Sequence, residues 1–172
     1  MQLHIGAALK QPGKVFSANI EEEFLPQDYA GRELRFVSPV QASLTYSYDG
    51  EVLALSGQLG VCFFAECARC NENFEEELVI PLHERFVKGG AALDKEESYE
   101  FEGEFVKLST VLLDNIFLSL PLSSVCKAEC AGLCPKCGCN WNTARCACVE
   151  EEEKIASPLS ALEQLLNDDK EV

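Results

Sequence analysis

The sequence predicts an α+β fold: an antiparallel β-meander packed by one helix, with a C-terminal cysteine-rich segment and a short terminal helix. Three observations carry this prediction. Apolar and polar residues alternate between turn signals in the first half, residues 109–120 have an apolar stripe of helical period, and seven of the ten cysteines lie from Cys126 to Cys148. We therefore assign a β-rich domain to residues 1–125 with its packing helix at 109–120, a cysteine-rich segment to 126–149, and an acidic linker with a C-terminal helix to 150–172.

The alternation indicates four strands, at Lys14–Ile20, Val37–Tyr48, Val52–Glu66 and Phe74–Phe86. In the second of them, one side holds Val40, Ala42, Leu44, Tyr46 and Tyr48. Asp49-Gly50 is a two-residue hairpin signal, and Asn71-Glu72-Asn73 is another turn. Gly57 and Gly60 predict a bend or bulge, and Pro81 predicts that the last strand is interrupted or lies at an edge. Residues 88–104 are expected to form a loop with a short strand.

Two helices are expected. In the first, Leu112, Ile116 and Leu120 recur every four residues, and Leu113 and Phe117 widen this apolar stripe. Ser109 or Thr110 is expected to cap its start, and Pro121 ends it. The second begins at Ser157-Pro158, and its leucine face either docks on the core or binds a partner.

Charge and composition limit the possible functions. The 172 residues suffice for one ordinary domain with an appended segment, and their net charge is −15. A surface this acidic repels phosphate backbones, so that basic proteins such as ribosomal proteins are more natural partners than naked nucleic acid. The acidity is equally compatible with a role in solubility alone. No export signal or bilayer-length apolar span is visible, which predicts a cytoplasmic protein without a membrane partner.

Ten cysteines in a reducing compartment favour metal binding over disulfides. The strongest motif is Cys134-Pro135-Lys136-Cys137-Gly138, in which proline and glycine favour a tight turn that brings two sulfurs to one ion. Cys146 and Cys148 follow after a short loop, in which Asn140 and Asn142 are expected to bond the backbone. These four cysteines predict a tetrahedral zinc site.

A second zinc site is predicted from the two remaining pairs, namely Cys67, Cys70, Cys126 and Cys130. It would fix the turn after the third strand to the exit of the helix. The rival division joins Cys126 and Cys130 to Cys134 and Cys137. With two zinc ions bound through eight thiolates, the net charge would be about −19.

Four further residues could belong to the sites but are assigned elsewhere. Cys62 lies inside a strand and is expected to be a small core residue. Cys139 either replaces a neighbouring ligand or is a free thiol. His4 and His83 are expected to be structural or exposed.

The motifs do not indicate an enzyme. A catalytic zinc site usually includes histidine or carboxylate ligands and an open position, whereas here thiolates are plentiful and no histidine adjoins them. A redox Cys-x-x-Cys typically opens a helix, but turn formers follow Cys70. No phosphate loop, Gly-x-Ser-x-Gly or nucleophile–base pair is visible.

The order of the motifs resembles a known family. It runs Cys67-Ala68-Arg69-Cys70, a helix ending Leu118-Ser119-Leu120-Pro121-Leu122, then Cys126-x-x-x-Cys130-x-Gly132-Leu133-Cys134-Pro135-x-Cys137-Gly138, Asn-x-Asn and Cys-x-Cys. Together with Ser38-Pro39-Val40 at the entry to the meander, this order is similar to the YceD family, named for large ribosomal RNA subunit accumulation. The resemblance runs from about Val37 to Leu166. Cys139 and Trp141 depart from the family pattern, which leaves the division of the sulfurs open.

The resemblance implies a cytosolic bacterial protein, or an organellar relative, that supports accumulation of large-subunit rRNA without enzymatic activity. We therefore expect a ribosome-biogenesis factor whose partner is a ribosomal protein or a pre-ribosomal particle. A thiol-redox or metal-responsive switch is the alternative, and direct binding of rRNA is a third. A basic spot for phosphate could come from Arg69, Lys127, Lys136 and Arg145, although these residues could simply offset thiolate charge.

Overall fold

The computed structural model describes residues 1–29, 31–89 and 98–150. The predicted terminal helix from Ser157 lies outside these residues, as do positions 90–97 of the predicted loop. The chain divides into two compact units, Met1–Cys130 and Ala131–Val172. The three-part domain organisation expected from the sequence stays a prediction.

The described residues are mostly strands, with few helices. In chain order the elements are β1 (Gln2–His4), α1 (Gly6–Lys10), β2 (Val15–Glu22), β3 (Gln27–Tyr29), β4 (Arg32–Leu34), β5 (Val40–Tyr48), β6 (Val52–Glu66), β7 (Asn73–Lys88), β8 (Tyr99–Phe101), β9 (Phe105–Lys107), α2 (Leu108–Ser119) and a 3₁₀ turn (Ala147–Glu150).

The main sheet has the order β2-β5-β6-β7-β8. Its first four strands pair antiparallel in sequence order, as the predicted meander requires. Strand β8 departs from that prediction because it pairs parallel to β7, from Phe86 to Lys88. The expected short strand within 88–104 is therefore present at Tyr99–Phe101.

Alternating burial places the core on one face of this sheet. Along β5, four of the five residues predicted to share a side are buried, and Tyr48 is half-buried. Their neighbours on the same face of β6, Leu55 and Leu59, are fully buried. The sheet therefore buries one face and leaves the other to solvent, as antiparallel sheets commonly do.

Neither the glycines of β6 nor the proline of β7 interrupts the pairing of these two strands. Strands β6 and β7 pair in one unbroken register from Val52 to Glu66, so no bulge occurs at Gly57 or Gly60. Gly57 instead allows the backbone of β5 to approach β6 closely, because a Cβ atom there would collide with the backbone oxygen of Ser43. Strand β7 also continues through Pro81. No described strand pairs with this part of β7 on the side away from β6. Of the two readings of Pro81, the edge position is the correct one.

The β5–β6 connection is one residue longer than a two-residue hairpin turn. It spans Asp49, Gly50 and Glu51, with Gly50 at φ 113°. The Asp49 carboxylate accepts the backbone N–H groups of Glu51 at 2.9 Å and Val52 at 2.8 Å. The bond to Val52, followed by that to Glu51, lowers the pKa of Asp49.

Helix α2 matches the predicted helix within one residue at each end. Its buried face comprises Leu108, Val111, Leu112 and Ile116, with Phe117 and Leu120 packed against the core. The predicted cap is wrong: the N-cap residue is Lys107, and no side chain caps the helix. The Ser109 hydroxyl instead donates to Glu22 Oε1 at 2.7 Å, which connects the helix to β2.

Several short elements were not predicted. Strand β1 pairs antiparallel with β9, and β3 pairs with β4. Helix α1 buries Ala8, and Ile5 just before it is fully buried in the core. In the described part of the chain, no helix has the length and apolar character needed to cross a membrane.

Candidate metal centres

The first cysteine cluster comprises Cys67, Cys70, Cys126 and Cys130, whose sulfurs all lie within 4.8 Å of one another. Cys67 and Cys70 lie in the turn between β6 and β7, and the other two follow α2. Three of the four are buried, and Phe74 at the start of β7 packs against them. The structure thus groups Cys126 and Cys130 with Cys67 and Cys70, which is the first of the two divisions considered.

The spacing of these sulfurs matches a tetrahedral thiolate site. Cys67 Sγ lies 3.8 Å from Cys130 Sγ, and Cys70 Sγ lies 3.7 Å from Cys126 Sγ. A regular tetrahedron with sulfur atoms about 2.3 Å from a central zinc ion has edges of about 3.8 Å. These two distances are therefore consistent with a zinc-sized ion between the four sulfurs.

Backbone hydrogen bonds shape the turn that carries the first pair. The N–H of Cys67 donates to the carbonyl of Glu72 at 2.9 Å, and the N–H of Asn71 donates to the carbonyl of Cys67 at 2.8 Å. Asn71 has φ 59°, in the left-handed region that asparagine tolerates better than most residues. The turn therefore directs both sulfurs to one side.

Arg69 joins the two halves of this cluster. Its Nη1 donates to the carbonyls of Ala128 at 3.2 Å and Cys130 at 3.1 Å. The N–H of Ala68 also donates to the carbonyl of Ser124 at 2.8 Å. The residues between the first two cysteines thus hold the segment that supplies the other two.

The electrostatics of the first cluster also suit a cation. The backbone N–H of Cys126 donates to Cys67 Sγ at 3.4 Å, and this bond lowers the pKa of the Cys67 thiol to about 6. Burial raises the pKa of Cys126 to about 12. Four thiolates this close repel one another, so that a bound divalent cation is needed to hold all four deprotonated.

The second cluster comprises Cys134, Cys137, Cys146 and Cys148, with sulfurs again within 4.8 Å of one another. Cys134 is buried, Cys137 is exposed, and the other two are half-buried. The structure thus brings together both of the predicted sets of four. They are the only groups of three or more His, Cys, Asp or Glu ligands close enough for one metal ion in the described ranges.

The turn at Cys134 repeats the hydrogen bonds of the turn at Cys67. The N–H of Cys134 donates to the carbonyl of Cys139 at 2.8 Å, and the N–H of Gly138 donates to the carbonyl of Cys134 at 2.9 Å. Gly138 has φ 72°, a conformation that glycine adopts readily, which agrees with its predicted place in a tight turn.

The loop between the two cysteine pairs is held by side chains that the sequence suggested only in part. Asn140 Oδ1 accepts the N–H of Asn142 at 2.9 Å, and Asn142 Oδ1 accepts the N–H of Ala131 at 3.0 Å, so both predicted asparagine roles are confirmed. Trp141 was not predicted to take part. Its Nε1 donates to Cys146 Sγ at 3.5 Å, and this bond lowers the pKa of Cys146 to about 6.

The remaining cysteines and histidines lie outside both sets of four. Cys139 donates from Sγ to the carbonyl of Ala144 at 3.6 Å. The prediction that Cys62 is a core residue is wrong. This cysteine is half-buried on the outward face of β6, opposite Glu77, and does not belong to the core. Burial and the carboxylates of Glu75 and Glu77 raise its pKa, which disfavours the reactive thiolate.

Both histidines are occupied elsewhere. His4 Nε2 lies 3.0 Å from Glu104 Oε2, and His83 Nδ1 lies 3.4 Å from Ser56 Oγ. Each cluster therefore offers four sulfur donors and no imidazole. Such a set suits a structural ion better than a catalytic one, which needs an open position for water or substrate.

Comparison with known proteins gives two groups of relatives. An uncharacterized protein of Mycobacterium tuberculosis is 32% identical over 92 residues, which cover 51% of this chain and 44% of the relative. The chloroplastic proteins named large ribosomal RNA subunit accumulation protein YCED homolog 1 are 27% identical, over 158 residues in Arabidopsis thaliana and 157 in Zea mays. These matches cover 74% and 73% of this chain and 49% and 54% of the relatives.

The chain thus spans about half the length of the relatives that it matches. No solved structure matches it. The family model described as large ribosomal RNA subunit accumulation protein YceD matches residues 55–166, which include most of β6, all of β7 and α2, and all eight clustered cysteines. The family resemblance of the motif order is confirmed, and the chain belongs to the YceD family.

Proposed function

We propose that this chain is a non-enzymatic factor that supports accumulation of large-subunit rRNA during ribosome biogenesis. The observation that carries the proposal is the family match over residues 55–166. The plant relatives that carry the accumulation name align with about three quarters of the chain, which supports the same role. We place the protein in the cytoplasm, where thiols stay reduced.

Two zinc ions complete the proposed structure. Cys67, Cys70, Cys126 and Cys130 are the ligands of the first, and Cys134, Cys137, Cys146 and Cys148 are those of the second. Two sets of four sulfurs, each within 4.8 Å of one another, support a structural ion, and zinc or iron are the metals that such sets select. Metal analysis of the purified protein is expected to find about two zinc ions per chain. Iron in their place would contradict the proposed metal.

The proposed partner is a basic ribosomal protein or a pre-ribosomal particle that presents one. The net charge of −15 supports a basic protein over naked RNA. Arg69 Nη1 donates to the carbonyls of Ala128 and Cys130, which orders its guanidinium within the first cluster. Its position supports a structural role within the cysteine cluster.

The test is depletion of the protein in its host, followed by measurement of the ratio of large-subunit to small-subunit rRNA. The ratio is expected to fall and to be restored by the wild-type chain. Affinity capture from the same cells is expected to enrich large-subunit ribosomal proteins. An unchanged rRNA ratio together with no ribosomal protein in the captured fraction would refute the proposed function.

A thiol-redox or metal-responsive switch makes different predictions. As structural ligands, the eight clustered cysteines are protected in the native protein, and only Cys62 and Cys139 remain as thiols without a metal. Titration of thiols in the native protein is therefore expected to find at most about two reactive thiols. The other cysteines are expected to react only after a chelator and a denaturant are added. Zinc-free protein with reversible disulfides would instead favour the switch.

A further inference from the structure

Strand β7 has an open edge. It pairs with β6 along nearly its whole length, but β8 occupies its other side only at Phe86–Lys88. Over the described residues, no strand pairs with that side of β7 from Asn73 to Arg85. An unpaired strand edge of this length offers a row of main-chain donors and acceptors to another strand.

The direction of each backbone group on this edge follows from β6. Phe64 donates its N–H to the carbonyl of Arg35, and the carbonyl of Cys62 accepts the N–H of Val37, both at 2.9 Å. Even-numbered residues of this part of β6 therefore bond away from β7, and odd-numbered residues bond toward it.

The register then fixes the groups of β7. Phe63 lies opposite Glu76 and Val61 opposite Leu78, so the even-numbered residues of β7 bond to β6. The N–H and carbonyl groups of Glu75, Glu77 and Val79 consequently point to the open edge. Pro81 shares their parity, which explains how a residue without an N–H fits a continuous strand.

Three consecutive carboxylates line this edge at Glu75, Glu76 and Glu77. Because side chains alternate along a strand, Glu75 and Glu77 project on the exposed face of the sheet and Glu76 on the other. Glu76 Oε2 is buried and has no hydrogen-bond partner within the described structure. The outward face of the edge therefore presents two exposed carboxylates, and on the other face one buried carboxylate oxygen still lacks a donor.

We propose that the open edge of β7 binds an extended protein segment containing consecutive lysine or arginine residues, which adds to the sheet as a further strand. The main chain of the segment pairs with the outward groups of Glu75, Glu77 and Val79. Its successive basic side chains then face Glu75, Glu76 and Glu77 in turn, on alternate faces of the sheet. The inference rests on the proposed function only for the source of the segment, a basic ribosomal protein.

Charge and chemistry distinguish this occupant from the other candidates. A second copy of the chain would bring carboxylates opposite carboxylates across the new strand pair, which is unfavourable. Nucleic acid lacks the regularly spaced amide groups that a strand edge pairs with, and the acidic surface repels it. A basic extended segment satisfies both the backbone and the carboxylates.

Binding can be measured with the zinc-loaded full-length protein and a labelled peptide, Thr-Val-Lys-Lys-Lys-Val-Thr, blocked at both ends. The triple variant E75Q/E76Q/E77Q is expected to bind about tenfold more weakly at physiological salt. The matched control E21Q/E23Q/E51Q removes the same charge from exposed positions elsewhere. It is expected to change the affinity by less than about twofold. Equal losses in the two variants would overturn the inference.

The added strand has a second signature in amide hydrogen exchange. Bound peptide is expected to slow exchange at Glu75, Glu77 and Val79, while Leu78 and Ile80 change little because they already bond to β6. The variant Val79→Pro removes one outward donor and no bond to β6, and is expected to weaken binding about fivefold. Peptide binding without slower exchange at the three outward amides would show a contact through charge alone and would overturn the inference.

The same variants separate this inference from the proposed function. If E75Q/E76Q/E77Q loses the peptide but restores the rRNA ratio in depleted cells, the edge binds as inferred but is not needed for that role. If the wild-type protein fails to bind the peptide and still captures ribosomal proteins, the inference is overturned and the proposed function stands. If it binds the peptide but depletion leaves rRNA unchanged, the proposed function fails alone.

Discussion

The two cysteine clusters use the same turn to join very different lengths of chain. In each, the N–H of the first cysteine bonds to the carbonyl five residues on, and its own carbonyl accepts the N–H four residues on. The first cluster then takes Cys126, which is 56 positions from Cys70, whereas the second is complete between Cys134 and Cys148. The same local turn can thus connect a β-sheet to the segment that follows a helix, or close a short loop.

The largest effect expected from this difference is on thermal stability. Cys67→Ser is expected to lose the first metal and to lower the melting temperature of the β-sheet by roughly 10 °C or more, because a long chain interval is released. Cys146→Ser is expected to lose the second metal with a shift of less than about 2 °C. Circular dichroism melting and metal analysis of both variants test this. Equal shifts would contradict the long-range role of the first cluster.

The next largest effect is expected at Arg69. Arg69→Gln removes two hydrogen bonds between the halves of the first cluster and is expected to weaken zinc binding there about tenfold. Lys127→Gln removes the same charge from the same region and serves as the control. Competition with a chromophoric chelator measures both. If the two variants weaken binding equally, Arg69 acts by charge and not through its contacts.

A smaller effect on metal affinity is expected at the residue that follows the second cysteine of each turn. Gly138→Ala places a Cβ at φ 72° and is expected to weaken the second site about fivefold. Asn71→Gly leaves the first site within about twofold, because glycine adopts φ 59° without cost. The chelator assay measures both variants. A strong loss in Asn71→Gly would mean that the asparagine side chain has a role beyond conformation.

The smallest effect is expected at Trp141. Trp141→Phe keeps the ring but removes the N–H that bonds to Cys146, and is expected to weaken the second site about two- to threefold. The affinity of the first site should not change. A larger loss at the second site would indicate that the indole also packs the loop.

Long strands and local turns could be predicted from the sequence because their signals are local. The alternation of β5 and the apolar stripe of α2 each result from one buried face, and both elements formed close to their predicted bounds. Strand β1 could not be found in this way, because three residues carry little pattern and its partner β9 lies about a hundred positions away. Ser109 reads as a cap in sequence, but in the fold its hydroxyl bonds to Glu22.

The two cysteine clusters differ in the same way, because one is local in sequence and the other joins distant segments. Local spacing and the turn residues predicted the set from Cys134 to Cys148, although the rival division with Cys126 and Cys130 stayed open until the structure grouped the sulfurs. The set that contains Cys67 rested on pairing the cysteines that remained, and only the structure brings their sulfurs together. The contacts of Arg69 and Trp141 depend on side-chain positions in the folded chain, and no spacing rule indicates them.

The location of Cys67 and Cys70 between β6 and β7 has a consequence for synthesis, because the chain is made from its N-terminus. The first pair of ligands leaves the ribosome well before Cys126 and Cys130, which follow α2. Until then, the proposed metal site at the hairpin has only half of its protein ligands. We therefore expect this site to take up its ion late, once the strands and the helix have been made.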